Sequence, residues 1–407
     1  MTKKKIPFFS LDKHIKKLEI DIQKSFQEIL STQNFVGGKP VQELEQKLSS
    51  YLNINHTITC NSGTDALWIA LKALNIKKNN IVITTPFSFI ASASEVVMHE
   101  AHPVFIDIDE KTFNIDAEKI QTWLIQNCEF KNGITVHKKT KYKVTGILPV
   151  DIFGQSADYE KIKKIADEWN LWIIQDACQA IGSNYNGKKT GTHGSIGCFS
   201  FYPTKNLGAF GDGGCCVTSD PKLAETLYKL RNHGRASHYN YDMLGKNSRL
   251  DGIQAEILSV QLNHLEDYIN SRRQIAKTYD EKLKNLKNII LPQQILGKHV
   301  YHQYCIQAID ENGNIFRNEL QQKLEENGID TRIFYPQILP DIDFLNTNQH
   351  LKTDCPIAKK LTQAILALPV WPELEVDEVV YICDKIIEIC KTKQFEKNEN
   401  QELQLSL

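Results

Sequence analysis

The segment TGILPVDIFGQSADYEKIKKIADEWNLWIIQDACQA, residues 145–180, sets two apolar runs on either side of a helical one. TGILPVDIF (145–153) and LWIIQDA (171–177) carry consecutive apolar side chains, so both faces of each strand require cover. Between them YEKIKKIADEWN (159–170) repeats its apolar residues at helical spacing. Further runs of the same texture, IVITT (81–85), PVFIDID (103–109) and GCCVTS (214–219), alternate with helical stretches such as TDALWIALKAL (64–74). The expected fold is therefore α/β, a buried and mostly parallel sheet with helices on each side. In such sheets ligands sit where strands end and loops begin.

Outward from this centre the texture changes. Ile15, Leu18, Ile22, Phe26 and Ile29 give a helical repeat near the start, and Val41, Leu44, Leu48 and Tyr51 give a second. Beyond residue 220 the chain turns helical, then mixed, with VYHQYCIQAID (300–310) as a strand and ELQQKLEENGI (319–329) as a helix. A chain of 407 residues suits two domains. The expected division is a large domain at 1–254, a smaller α+β domain at 255–392, and a polar, disordered tail at 393–407. NCEFKNGITVHKKTKY (127–142) reads as a basic surface insertion.

Composition excludes several classes of function. With 48 basic and 49 acidic residues the formal charge is −1, so no overall field recruits nucleic acid or an anionic membrane. No stretch approaches the roughly 20 apolar residues that span a bilayer. The basic MTKKK opening is followed by no apolar signal core. Ten cysteines show no CxxC pair and no metal-ligand spacing with histidine, which points to reduced core thiols and no metal site. A soluble, cytoplasmic protein is expected.

Four motifs fall at strand ends. In CNSGTDAL (60–67), Ser62, Gly63 and Thr64 open a helix whose free N–H groups suit a phosphate, or serve as an ordinary cap. In QDACQA (175–180), Asp176 ends an apolar strand with Gln179 three residues on, either as a helix cap or as an acid facing a cationic ring nitrogen. TTPFSFIAS (84–92) offers Phe87 and Phe89 for the core or for stacking on a flat ligand. FSFYPTKNLGAFGDGG (199–214) holds Ser200 and a lone lysine, Lys205, in an apolar and aromatic setting. Burying a lysine charge is costly. Together the four supply a phosphate cradle, a stacking ring, an acid and a secluded amine, the parts that hold pyridoxal phosphate. An amine bonded to the aldehyde is no longer a buried ammonium, and once released it can act as the base that moves the substrate proton.

The motifs GGKPVQELEQKL, NSGTDAL, DIFGQSAD, QDACQAIG, FSFYPTKNLGAFGDGG and GKNSRLDGIQAEIL resemble those of the DegT/DnrJ/EryC1/StrS sugar aminotransferases. The resemblance runs from about residue 6 to 392. It implies an aspartate-aminotransferase-like fold, with a mostly parallel seven-stranded sheet in the large domain. It makes Lys205 the residue bonded to pyridoxal 5'-phosphate, Asp176 the partner of its ring nitrogen, Gln179 a contact of its ring hydroxyl and Phe89 the stacking ring. Gly63, Thr64 and Ser200 would hold the phosphate. Asn247 would reach it from a neighbouring subunit, which implies a homodimer with shared sites. Arg249 would take the carboxylate of the amino donor, and His233, His302 and Tyr335 would lie near the substrate. The implied reaction moves an amino group from L-glutamate to a nucleotide-linked keto sugar, a 3-keto-6-deoxy hexose by the form of residues 201–214. Its product would be an amino sugar for lipopolysaccharide or a related surface glycan. Relatives with histidine in place of the lysine are dehydratases. That reaction, an amino-acid aminotransferase and a regulatory protein are the alternatives. The insertion at 127–142 and the lack of a histidine after FYP (334–336) depart from the family pattern.

Overall fold

The two strands of residues 145–180 lie side by side and parallel in the computed structural model, which describes residues 5–405 and their side chains through Lys391. They belong to a sheet of nine strands: β1 (His56–Cys60), β2 (Ile81–Thr84), β3 (His102–Phe105), β4 (Cys128–Lys131), β5 (Ile134–His137), β6 (Lys143–Leu148), β7 (Trp172–Asp176), β8 (Ile196–Ser200) and β9 (Gly214–Thr218). Their order is β1-β9-β8-β7-β6-β2-β3, with the β4–β5 hairpin attached to β6. Neighbours from β3 through β8 pair in parallel, while β9 runs antiparallel to both β8 and β1. This is the expected mixed α/β fold.

Alternation along each strand sends side chains to opposite layers. Val82, Cys198 and Cys216 pack on one face against helices Gly63–Ala73, Ala91–Met98 and Pro221–Leu230. On the other face Ile81 and Ile83 meet helices Ala117–Asn127 and Tyr159–Glu168. Phe199, Cys215 and Val217 there meet helices Gly38–Leu52 and Gly252–Leu262. All ten cysteines are free thiols.

The sheet is wider than seven strands because residues 127–142 are not a loop. Glu129 faces Val136 and Phe130 faces Thr135 in an antiparallel hairpin, and Thr135 and Val136 pair on to β6. The turn is Asn132–Gly133, with φ of 54° and 75°. Positive φ at both central residues is what a type I′ hairpin requires, and Asn-Gly is its strongest sequence signal. Strands β1 and β8 were also beyond the sequence patterns. HTITC and IGCFS hold few large apolar residues, and they become strands because paired neighbours and helix layers bury them.

A second, antiparallel sheet joins Ile289–Ile290, Tyr304–Ala308 and Ile365–Leu368. Helices Leu265–Leu283, Arg317–Glu326 and Val376–Leu405 accompany it, and Tyr279, Leu320 and Ile382 share its core. Ile6 enters this core from the N-terminal segment, its N–H bonded to the Gly328 carbonyl at 2.8 Å. The expected boundary at 254/255 falls inside helix Gly252–Leu262, whose Ala255 and Leu258 pack with the large sheet. The stretch expected as a disordered tail continues as helix through Leu405, in a run from Val376 with no glycine or proline. Its side chains, and residues 406–407, lie outside the described residues.

Gly197, in β8 ahead of the Lys205 loop, tests the packing of the sheet. A Cβ there would sit 2.0 Å from the Gly191 carbonyl oxygen, which is backbone and cannot swing aside. Gly197→Ala is expected to cost about 1–3 kcal/mol through overpacking, seen as a lower urea midpoint with unchanged slope.

Candidate active site

The carboxyl ends of β7 and β8 open into a cavity of about 550 Å³. Gly63, Thr64, Phe89, Asp176, Gln179, Ser200, Lys205, His302 and Tyr335 all line it. The sequence spreads these residues over more than two hundred positions, and strand order brings them together.

Local geometry explains each placement. Helix Gly63–Ala73 begins directly after β1, with the Ser62 side chain accepting from Asp65 N at 3.1 Å. Ser62 is thus the cap, and Gly63 and Thr64 stand at the positive end of the helix dipole. Gly63 must be glycine, since an added Cβ would lie 2.6 Å from Ser200 Cβ. The helix start and the end of β8 therefore meet closely enough to hold one small anion.

Asp176 is the last residue of β7 and is 4% exposed. Ser92 Oγ donates to its Oδ2 at 2.8 Å and Cys178 N–H to its Oδ1 at 3.2 Å. Ser92 is paired in turn with Ser88 at 2.9 Å. The carboxylate is held from two sides and faces the cavity. Gln179 is clamped likewise: its Oε1 accepts from Phe153 N–H at 2.8 Å and its Nε2 donates to Tyr335 Oη at 3.1 Å. Phe87 is fully buried core, whereas Phe89 is 56% exposed on the cavity wall, which settles which of the two rings is free to stack.

Lys205 is half-buried, and its Nζ makes no hydrogen bond or ion pair among the described residues. Desolvation holds the amine below its ordinary value of 10.5, against the opposing pull of Cys178 and Asp176. His302, 6% exposed, has its imidazole driven well down by burial, with Lys205 and Arg272 adding to the effect. Its Nδ1 is buried with no partner among the described residues. A fixed buried carboxylate, an amine of lowered proton affinity, free N–H groups at a helix start and a loose aromatic ring fit a flat, phosphate-bearing aldehyde with a basic ring nitrogen.

Three expected residues stand elsewhere. Asn247 and Arg249 are exposed and do not line this chain's cavity. His233 is exposed in a left-handed turn with φ of 63°. Arg231 is a buried tie from its Nη1 to Glu45 and to the Thr59 carbonyl at 2.7 Å. Sequence reading missed Ser92, Tyr202, Thr204, Asp212, Gln303 and Phe334 as site residues. Ser92 lies within the quoted TTPFSFIAS motif, but nothing in the pattern marks it as the residue that steadies Asp176.

The model of the DegT/DnrJ/EryC1/StrS aminotransferase family matches residues 16–387. A Geobacillus stearothermophilus protein named pleiotropic regulatory protein is 38% identical over 386 residues, covering 94% of this chain and 98% of its own. The UDP-N-acetyl-3-dehydro-alpha-D-glucosamine 3-aminotransferase of Acidithiobacillus ferrooxidans is 37% identical over 382 residues, covering 94% and 97%. Among solved structures, Bacillus subtilis NtdA with bound cofactor PMP superposes with a TM-score of 0.83 at 28% identity, covering 95% of this chain and 85% of its own.

The depressed pKa of Lys205 has a pH signature. Below that value the amine is protonated and cannot attack a carbonyl. In cofactor-free protein, capture of pyridoxal phosphate at Lys205 is therefore expected to quicken with rising pH, with a midpoint under 10.5. The unfolded chain holds the same proton more tightly, so this group's contribution to stability rises with pH between the folded value and 10.5. Stopped-flow absorbance checks the first expectation, and a midpoint at or above 10.5 would contradict it.

Proposed function

Because this chain belongs to the DegT/DnrJ/EryC1/StrS aminotransferase family, we propose that it transfers the amino group of L-glutamate to a keto group on a nucleoside-diphosphate-linked hexose. It is an aminotransferase that uses pyridoxal 5'-phosphate. The bound cofactor supplies an electron sink for charge on the carbon next to the amino nitrogen. The observation that carries the reading is the single cavity shared by Lys205, Asp176, Gln179 and the Gly63–Thr64 helix start.

In this reading each side chain has one task. The Gly63 and Thr64 N–H groups and the Ser200 hydroxyl bind the phosphate, where the helix dipole favours an anion. Asp176, steadied by Ser92 and by Cys178 N–H, keeps a proton on the ring nitrogen. Gln179, fixed by Phe153 and Tyr335, orients the ring through its hydroxyl, and Phe89 covers one face. Lys205 Nζ would hold the cofactor and, when released, would take the proton from the donor's carbon and carry it to the cofactor's carbon. Desolvation lowers the amine's affinity for its proton below the ordinary value, the direction that favours work as a base. Asn247 and Arg249 serve the partner copy in a homodimer, Arg249 meeting the donor's carboxylate. His302 and Tyr335 border the sugar.

The keto carbon is assigned to position 3, which the name of the Acidithiobacillus relative supports for its own substrate. The 6-deoxy character rests on the form of the 201–214 motif. The product would enter a surface polysaccharide such as lipopolysaccharide, made in the cytoplasm. No helix among the described residues is long and apolar enough to cross a membrane. The regulatory name of the Geobacillus relative has no counterpart in a site built around an amine of lowered pKa.

Protein loaded with pyridoxal phosphate is expected to show its near-ultraviolet or visible band, and glutamate to bleach it. Incubation with glutamate and a panel of nucleotide-linked keto sugars, followed by mass spectrometry, identifies the acceptor. Lys205→Ala is expected to lose turnover by at least about 100-fold. Retention of full turnover by that variant would end the proposal.

A further inference from the structure

Asn247 and Arg249 sit on a segment whose residues alternate in exposure. Lys246 is half-buried, Ser248 and Leu250 are 0% and 2% exposed, and Asn247 and Arg249 are exposed. That is the period of extended chain, so 247 and 249 share an outward face while 246, 248 and 250 turn inward. The backbone is zipped to the end of helix Pro221–Leu230 and the residues after it. Lys246 N–H donates to the Leu230 carbonyl at 2.9 Å, His233 N–H to the Lys246 carbonyl at 2.8 Å and Ser248 N–H to the Arg231 carbonyl at 2.8 Å. Arg231 is itself tied to Glu45 and Thr59.

The inward side chains close on one carboxylate. Ser248 Oγ donates to Asp65 Oδ2 at 2.7 Å, and Lys246 Nζ donates to Asp65 Oδ1 at 3.3 Å. Lys246 Nζ also stands 4.4 Å from the centre of the Trp68 ring, three residues along the same helix as Asp65. Asp65 therefore grips the residue on either side of Asn247, and fixing 246 and 248 fixes the direction in which 247 points. For this chain's own site the acid is badly placed. It follows Thr64 at the start of helix Gly63–Ala73, where a carboxylate repels a bound phosphate. Its side chain, 18% exposed, does not line this chain's cavity. An acid kept beside an anion cradle has its task elsewhere.

We propose that Asp65 is a positioning residue for the other active site of the homodimer: it holds Lys246–Ser248 so that Asn247 meets the partner copy's phosphate already aimed. The assignment rests on the reading given above, in which Asn247 serves the partner. A side chain presented on a pinned segment loses less freedom on meeting its ligand than one on a loose loop. One helix then opens on this chain's phosphate cradle and anchors a phosphate contact of the next. The sign of the effect separates this role from a local one. Asp65→Ala removes a negative charge beside its own cradle, which leaves cofactor binding there unchanged or tighter. In the partner's site the same substitution loosens Asn247 and weakens cofactor binding about ten-fold, the weight of one hydrogen bond to a charged group.

Mixed dimers of differently tagged chains test this, with Lys205→Ala silencing one site. The visible band of lysine-bound cofactor then reports the live site alone, and titration with pyridoxal phosphate gives that site's dissociation constant. In the first pairing, a Lys205→Ala chain joins an Asp65→Ala chain. Its live site receives Asn247 from a chain with Asp65 intact, and binding should be no weaker than in wild type paired with Lys205→Ala. In the second, one chain carries both substitutions and its partner is wild type. Its live site receives Asn247 from the altered chain, and the dissociation constant should rise about ten-fold. Ser248→Ala, which removes the buried half of the clamp, should give the same ranking and replaces Asp65→Ala if that chain does not fold. Equal constants in the two pairings, the reverse order, or chains that form no mixed dimer would overturn the proposal. The two readings fail separately. A Lys205→Ala homodimer that keeps band and turnover sinks the role of the amine, whereas a silent one with equal constants in the mixed dimers sinks the role of Asp65 alone.

Discussion

An amine held out of water is the constraint on which this structure turns. Desolvation lowers the affinity of Lys205 for its proton, which lessens the need for a carboxylate partner. The protein gives it none: Asp176 lines the same cavity yet is held by Ser92 and Cys178 N–H, not by the amine. Had the two formed a tight ion pair, the lysine would be a poor nucleophile and the acid unavailable to a ring nitrogen. Separate anchoring of acid and base lets one cavity carry both.

That separation depends on the sheet. Asp176 ends β7 and Ser200 ends the neighbouring β8, whose parallel register sets Cys198 opposite Asp176. The antiparallel β9 and β1 then return the chain so that helix Gly63–Ala73 starts beside Ser200. Gly63 lets the two backbones approach, and no larger residue fits there. The second sheet contributes His302, just before Tyr304–Ala308, and the loop with Phe334 and Tyr335 closes the front. Tyr335 reaches Gln179 across this junction, so the smaller unit helps to orient a residue of the larger one.

Much of this was legible from local pattern. The both-faced apolar runs at 145–153 and 171–177 forecast a covered parallel sheet, and β6 and β7 pair in parallel as forecast. A lone lysine among aromatics and an aspartate closing an apolar strand are costly placements, and they mark chemistry because nothing in a simple core would keep them. The Asn132–Gly133 hairpin was equally legible by its turn chemistry, yet the basic residues around it disguised two edge strands as a loop. Strands β1 and β8 were illegible, since their small and polar residues take extended form only when neighbours bury them.

Sequence alone determined the class of fold, the amine, the acid and the family, because propensity, periodicity and motif spacing act within a few tens of residues. Tertiary structure decided everything that depends on distant groups meeting. It chose Phe89 over Phe87 as the free ring, enlisted Ser92 and Phe153 as supports, and kept Asn247 and Arg249 outside this chain's own cavity. Burial and hydrogen-bond satisfaction are properties of assembled surfaces, and no linear pattern records which polar atom is left without a partner when those surfaces close.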